Sequence, residues 1–204
     1  MRKIIELYGR AGSGKTYIVN KLKFDKRKTS SINRRNKIRN LFLYLYFIVT
    51  NINYYRSLKK SIRRIECINK KQMHVVFRSY IITLSFILLN KDKNVILDEG
   101  IVQRWMSISR RSRKYITYVD NDFDHFLKKN NLVWCPIYLD FPDGVTFSQR
   151  VKRDKISKTD YKNLMQDLLL GKKRMDHYYE YLDRNFRTTN SEETIELIQK
   201  MIID

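Results

Sequence analysis

The chain has 204 residues, enough for one domain with a sizeable core. Its 42 lysines and arginines against 21 aspartates and glutamates give a formal charge of +21, which invites an anionic substrate, a nucleic acid or an anionic membrane surface. Two prolines and six glycines exclude a linker or low-complexity tract, while Cys67 and Cys135 match no metal-ligand spacing and read as reduced thiols of a cytosolic protein.

Residues 3–8 (K-I-I-E-L-Y) predict a buried strand at the start of the chain, so no cleaved leader is expected. Gly9, Arg10, Ala11, Gly12, Ser13, Gly14, Lys15 and Thr16 follow in the spacing G-x-x-x-x-G-K-[ST], and residues 15–22 begin a helix. Strand, glycine turn and helix in this order form a phosphate-binding loop. Its glycines let backbone N–H groups face the phosphates, and the helix N-terminus adds positive potential. Lys15 is expected to neutralise phosphate oxygens and the Thr16 hydroxyl to hold Mg²⁺, which makes the loop a nucleoside triphosphate site.

Residues 25–39 are polar and basic and predict a loop. The apolar run 41–49 falls well short of the roughly twenty residues needed to cross a bilayer. It reads as a buried helical segment, with a surface helix whose basic end, residues 56–64, lies on anionic lipid as the alternative. Residues 72–90 are apolar nearly all round, as in a central helix packed on a sheet. Arg78 is the only Lys, Arg, Asp or Glu in that stretch, so it is expected to be buried and to need a partner. That partner is either Asp98 or Glu99 in a salt bridge, or an anionic group of a substrate, with Arg104 as a helper.

Residues 94–97 predict a short buried strand ending in Asp98, the usual place for an acid that orients Mg²⁺ or its waters beside a phosphate loop. Glu99 adds a carboxylate that either accepts a proton from an attacking hydroxyl or favours a helix N-terminus. The helical spacing of Ile101, Trp105 and Ile108 sets Arg104 and Ser107 on another face. Asn90, Lys91, Asp92 and Lys93 imitate a guanine-reading N-K-x-D, but the fourth residue is wrong and the element precedes the acidic strand. Residues 132–139 predict a strand with a bulge at Pro136. Helices are expected over 143–153 and over 161–184 with a break near Gly171, then a strand over 186–189. A closing helix over 191–203 is expected to be capped by Ser191.

These pieces resemble the P-loop nucleoside and nucleotide kinases, most closely thymidylate kinases, over most of the chain outside the basic, aromatic region 25–71. Residues 137–145 (I-Y-L-D-F-P-D-G-V) resemble the strand and turn before the family's lid, and Arg150 and Arg153 then fall at lid positions within 143–162. Residues 190–203 resemble the family's last loop and helix, where adenine lies. Two departures fall on the acceptor side: Ala11 stands where thymidylate kinases carry an acid, and Asp98, Glu99 and Gly100 replace an Asp-Arg-aromatic triplet.

The resemblance implies a single P-loop NTPase domain over 1–204, an α/β fold with a mainly parallel sheet flanked by helices and a helical lid. It implies ATP- and Mg²⁺-dependent phosphoryl transfer to a small anionic acceptor such as a nucleotide. The catalytic residues would be Lys15, Asp98, Glu99, Arg150 and Arg153, with Thr16 and Asp98 on the metal, and Arg78 and Arg104 on the acceptor. Two alternatives stand beside it: an NTP-dependent ATPase or switch that uses its basic surface for nucleic acid, and a membrane-associated kinase for a lipid-linked or glycan precursor.

Overall fold

A computed structural model describes residues 2–22, 29–31, 37–63, 70–90, 92–112, 118–157, 160–182 and 186–203. Strand β1 (Arg2–Gly9) leads into helix α1 (Lys15–Lys21). Strand β2 (Thr29–Ser31) precedes three helices, α2 (Lys37–Thr50), α3 (Ile52–Arg63) and α4 (Lys70–Leu89). Strand β3 (Asn94–Leu97) is followed by α5 (Ile101–Ser112) and α6 (Tyr118–Lys129). Strand β4 (Leu132–Leu139), helices α7 (Asp143–Asp154) and α8 (Tyr161–Tyr181), strand β5 (Phe186–Thr188) and helix α9 (Ser191–Ile203) complete the order.

The described strands form one five-stranded sheet in the order β2-β3-β1-β4-β5, with every pairing parallel. Parallel strands need helical crossovers on both faces, so the central strand reads as a continuous apolar run. Ile4 and Tyr8 of β1 join the larger core with α4, α5, α6 and α8. Ile5 and Leu7, on the other face, pack with Ile18 of α1 and Ile198 of α9. Because β3 and β4 flank β1, the residues just after all three strands emerge at one edge. Residues 10–16, 98–100 and 140–143 therefore meet there, which is where ligands bind in open α/β sheets.

Several expectations are corrected. The loop expected over 25–39 contains β2 and the first turn of α2, while residues 23–28 and 32–36 lie outside the described residues. Thr29–Ser31 is a polar edge strand held by backbone pairing to β3, so it carries no apolar pattern. The run 41–49 is not buried: only Leu43 and Phe47 enter the core, and Leu41, Phe42, Leu45 and Val49 face outward. Among the described residues no helix is long and apolar enough to cross a membrane.

Pro136 makes no bulge, since the register with β1 runs one to one from Leu132 to Leu139. Pairing with β5 starts only at Ile137, so the missing N–H falls where β4 has a single partner strand. Helix α8 continues through Gly171 to Tyr181, and residues 183–185 lie outside the description. Helix α9 is capped by Asn190 rather than Ser191, because the Asn190 Oδ1 accepts the Glu192 N–H at 2.9 Å. Cys67 lies outside the described residues, and Cys135 is a half-buried free thiol.

Candidate active site

The loop after β1 takes its shape from glycine. Gly14 (φ 73°) caps α1 in a left-handed conformation, and Gly12 (φ 90°) lies so close to α7 that a Cβ there would stand 2.7 Å from the Thr146 carbonyl oxygen. The Lys15 ammonium folds into this turn and donates to the Gly9 carbonyl at 2.8 Å, the Arg10 carbonyl at 2.9 Å and Ser13 Oγ at 3.2 Å. Burial pulls its pKa down to about 8; the carboxylates of Glu99 and Asp98 oppose that shift and the Arg153 guanidinium adds to it. Lys15 thus stays cationic at neutral pH, in the field of two other segments.

Asp98 follows β3 and is half-buried, and its carboxylate accepts no hydrogen bond from a described residue. Glu99 is exposed and meets Arg104 of α5 at 3.3 Å. Gly100 explains the departure from the Asp-Arg-aromatic pattern. A Cβ at that position would lie 2.6 Å from the carboxyl carbon of Glu6. Glu6 has no exposed surface; its Oε1 accepts the Val102 N–H at 2.7 Å and its Oε2 accepts the Trp134 Nε1–H at 3.1 Å. The carboxyl thus caps the N-terminus of α5 from inside the sheet, and no side chain fits beneath it at position 100.

Helix α7 clasps the loop from the other side. Arg10, only 2 % exposed, donates to Asp143 Oδ1 and to the Phe141 carbonyl, both at 2.5 Å. Its guanidinium holds the Asp143 carboxyl below the usual range. One turn from the end of α7, Arg150 and Arg153 both bond the Asp154 carboxylate, Arg153 at 2.7 and 3.1 Å. The hydrogen bonds from Arg153 and Arg150 keep Asp154 ionised well below the ordinary aspartate range.

Between the loop, α5, α7 and α8 lies a cavity of about 220 Å³ whose polar wall is Arg10, Arg150, Arg174, Asp167, Gln103 and Ser107. Gln103 Oε1 is buried there without a hydrogen-bond partner. Arg78 is not on this wall. It is exposed, with its guanidinium 5.4 Å from the Tyr44 ring centroid. Its expected burial is corrected for a simple reason: α2 covers part of the outer side of α4 and leaves the strip His74, Val75 and Arg78 open to solvent.

The structure thus gathers Lys15, Asp98, Glu99 and Arg153 within electrostatic reach of one another, and sets Arg150 on the cavity and Arg104 on Glu99. Sequence reading passed over Glu6, Asp154 and Arg174. An acid directly after R-x-x-R was the one available signal, for Asp154. The Thr16 hydroxyl and Asp98 carboxylate are hard oxygen donors suited to Mg²⁺, which takes one or two protein ligands plus phosphate and water. Among the described residues no group of three or more His, Cys, Asp or Glu that could hold a metal ion assembles.

A parallel sheet of this order, with a glycine loop between its central strand and the first helix, defines an α/β architecture of the P-loop type. No family model and no curated protein sequence matches the chain. Among solved structures the fold is shared with deoxyadenosine kinase from M. mycoides. Its structure with bound dATP aligns over 99 % of this chain and 100 % of that one, with TM-score 0.52 and 18 % identity. The structure with bound dCTP aligns over 98 % of both chains (TM-score 0.51, 18 %), as does the one with products dCMP and a flexible dCDP (TM-score 0.50, 18 %). This chain has the P-loop nucleoside kinase fold.

Proposed function

We propose that the protein transfers the γ-phosphoryl group of ATP to a small anionic acceptor, such as a nucleotide. The observation that carries this reading is the convergence of Lys15, Asp98, Glu99 and Arg153, from three segments, at one edge of the sheet. Phosphoryl transfer asks the protein for positioning and charge neutralisation, and these residues supply both.

The loop amides and Lys15 cradle the β- and γ-phosphates. Thr16 and Asp98 would hold Mg²⁺, which when bound would supply charge neutralisation at the phosphates. An acceptor in the cavity lays its anionic group against Arg174, with Gln103 and Ser107 offering polar atoms for the rest. Its oxygen attacks the γ-phosphorus, the bond to the β–γ bridging oxygen breaks, and the acceptor proton passes to Glu99, which Arg104 steadies. Arg153 and Arg150, both bonded to Asp154, would close over the charge that develops on the transferring group.

Two measurements test the reading. ATP·Mg at about a hundred times its Kd should stabilise the fold by about 2.7 kcal/mol, and Lys15→Ala should abolish most of that gain. An ADP-release screen over nucleosides, nucleotides, sugars and lipid-linked acceptors should then find turnover with an anionic small molecule. Arg153→Ala should slow that turnover on the order of 10³-fold with little change in ATP affinity. A protein indifferent to every NTP·Mg, or one that hydrolyses ATP with no acceptor, refutes it.

A further inference from the structure

Helix α2 turns an apolar stripe to solvent. Ile38, Leu41, Phe42, Leu45 and Val49 recur every three or four residues along one face. Ile38 is 83 % exposed, Phe42 59 % and Val49 79 %. Single exposed apolar side chains are ordinary, but a continuous stripe of large ones marks a contact surface. It is not a misplaced core face, because the inward side is already used. Leu43 and Phe47 are buried, the Tyr44 and Tyr55 hydroxyls meet at 3.1 Å, and Phe47 packs on Tyr54.

Charge decides the partner. Residues 37–63 carry Lys37, Arg39, Arg56, Lys59, Lys60 and Arg63 and no acidic residue at all. On α3, exposed Arg56, Lys60 and Arg63 fall on one face with Ile52, which continues the apolar stripe at the start of that helix. A second copy of this chain would press one cationic face on another, within a molecule of net charge +21. A nucleic acid would satisfy the cations and leave the stripe wet. An anionic bilayer surface answers both features, and at about 21 Å α2 is long enough to lie in the interface, not across it.

We propose that the α2–α3 pair docks the protein on an anionic membrane surface, with the α2 stripe in the acyl boundary and the α3 basic face among the headgroups. This surface is separate from the cavity, which is lined by the phosphate loop, α5, α7 and α8, so the proposal stands independently of phosphoryl transfer.

The test is sedimentation of the full-length protein with phosphatidylcholine vesicles, with and without phosphatidylglycerol, over a range of salt. Binding is expected only to the phosphatidylglycerol vesicles, weakening as salt rises. Leu45→Asp should abolish it, and the triple change Arg56→Glu, Lys60→Glu and Arg63→Glu should reduce it on the order of 100-fold or more. Both variants alter exposed positions, so their melting temperatures should match the wild type and confirm that they fold. No binding to anionic vesicles overturns the proposal, as does binding that Leu45→Asp leaves intact, which is plain electrostatic adsorption. Light scattering that finds a lipid-free dimer made monomeric by Leu45→Asp also overturns it, in favour of a self-contact. Tighter binding to a DNA duplex than to vesicles, lost only in the charge variant, overturns it in favour of nucleic acid.

Discussion

Glu6 sits at 0 % exposure beneath α5, and burial lifts its pKa from 4.5 to about 7 despite hydrogen bonds from the Ile101, Val102 and Gln103 amides and the Trp134 indole. Between those two values the folded chain binds more protons than the unfolded one. Folding stability should therefore fall as pH rises from about 4.5 to about 7, by on the order of 3 kcal/mol from this group, and level off above. Denaturant melts across that range check it, and Glu6→Gln should remove that component of the slope. The variant should also be less stable by about 1–3 kcal/mol, because the new NH₂ must face either the Val102 or the Trp134 donor. At the neighbouring position Gly100→Ala should cost about 1–3 kcal/mol, since its Cβ meets the Glu6 carboxyl. Asp154 is the third informative residue. Asp154→Ala frees Arg150 and Arg153 from their shared anchor, so turnover in the proposed reaction should fall while the thermal shift with ATP·Mg persists.

Helices α4, α6 and α8 show how far local pattern reaches. The all-round apolar surface of α4 fits its place between the sheet and α2, with Tyr80, Ile81, Leu84 and Ile87 fully buried. Leu84→Ala should cost about 2–5 kcal/mol in chemical denaturation. Helix α6 went unread because its charged sequence carries few apolar residues; among those whose burial is described, Phe123, Phe126 and Leu127 are buried. In α8 Gly171 suggested a break, yet the helix passes straight through and the glycine lies against Arg10, whose Cγ would be 3.7 Å from an added Cβ. That is ordinary contact, so Gly171→Ala should stabilise the fold by about 0.5–1 kcal/mol. An unfolding midpoint below wild type would show that the contact strains Arg10.

At the scale of the whole molecule, the sheet order does the assembling. Glu6 and Trp134 are 128 residues apart, and Arg10 and Asp143 are 133 apart, yet each pair bonds because β4 lies beside β1. The phosphate loop is thereby fastened to α7 by an ion pair buried on its Arg10 side, so the loop and the helix bearing Arg150 and Arg153 form one mechanical unit. Arg10→Met should loosen both together. The expected outcome is a lower melting temperature and a smaller ATP·Mg shift; an unchanged shift would mean that the loop keeps its shape without the clasp.

The sequence by itself determined the phosphate loop, the strands around β1, β3 and β4, and the pairing of a glycine turn with an acid-ended strand. Each is a local pattern: a run of apolar residues, a spacing of glycines, a terminal carboxylate. Tertiary structure alone decided which faces of those elements would be covered. Arg78 was read as buried because its own helix is apolar, but burial depends on what neighbouring elements cover, and α2 leaves that strip open. The run 41–49 was read as core for the same reason, and its outer stripe faces water because the interior on that side is already filled by Leu43 and Phe47. Gly100 was legible as a departure from a known pattern, but its cause, the Glu6 carboxyl, lies 94 positions earlier in the chain and comes within reach only once β1 and β3 are paired.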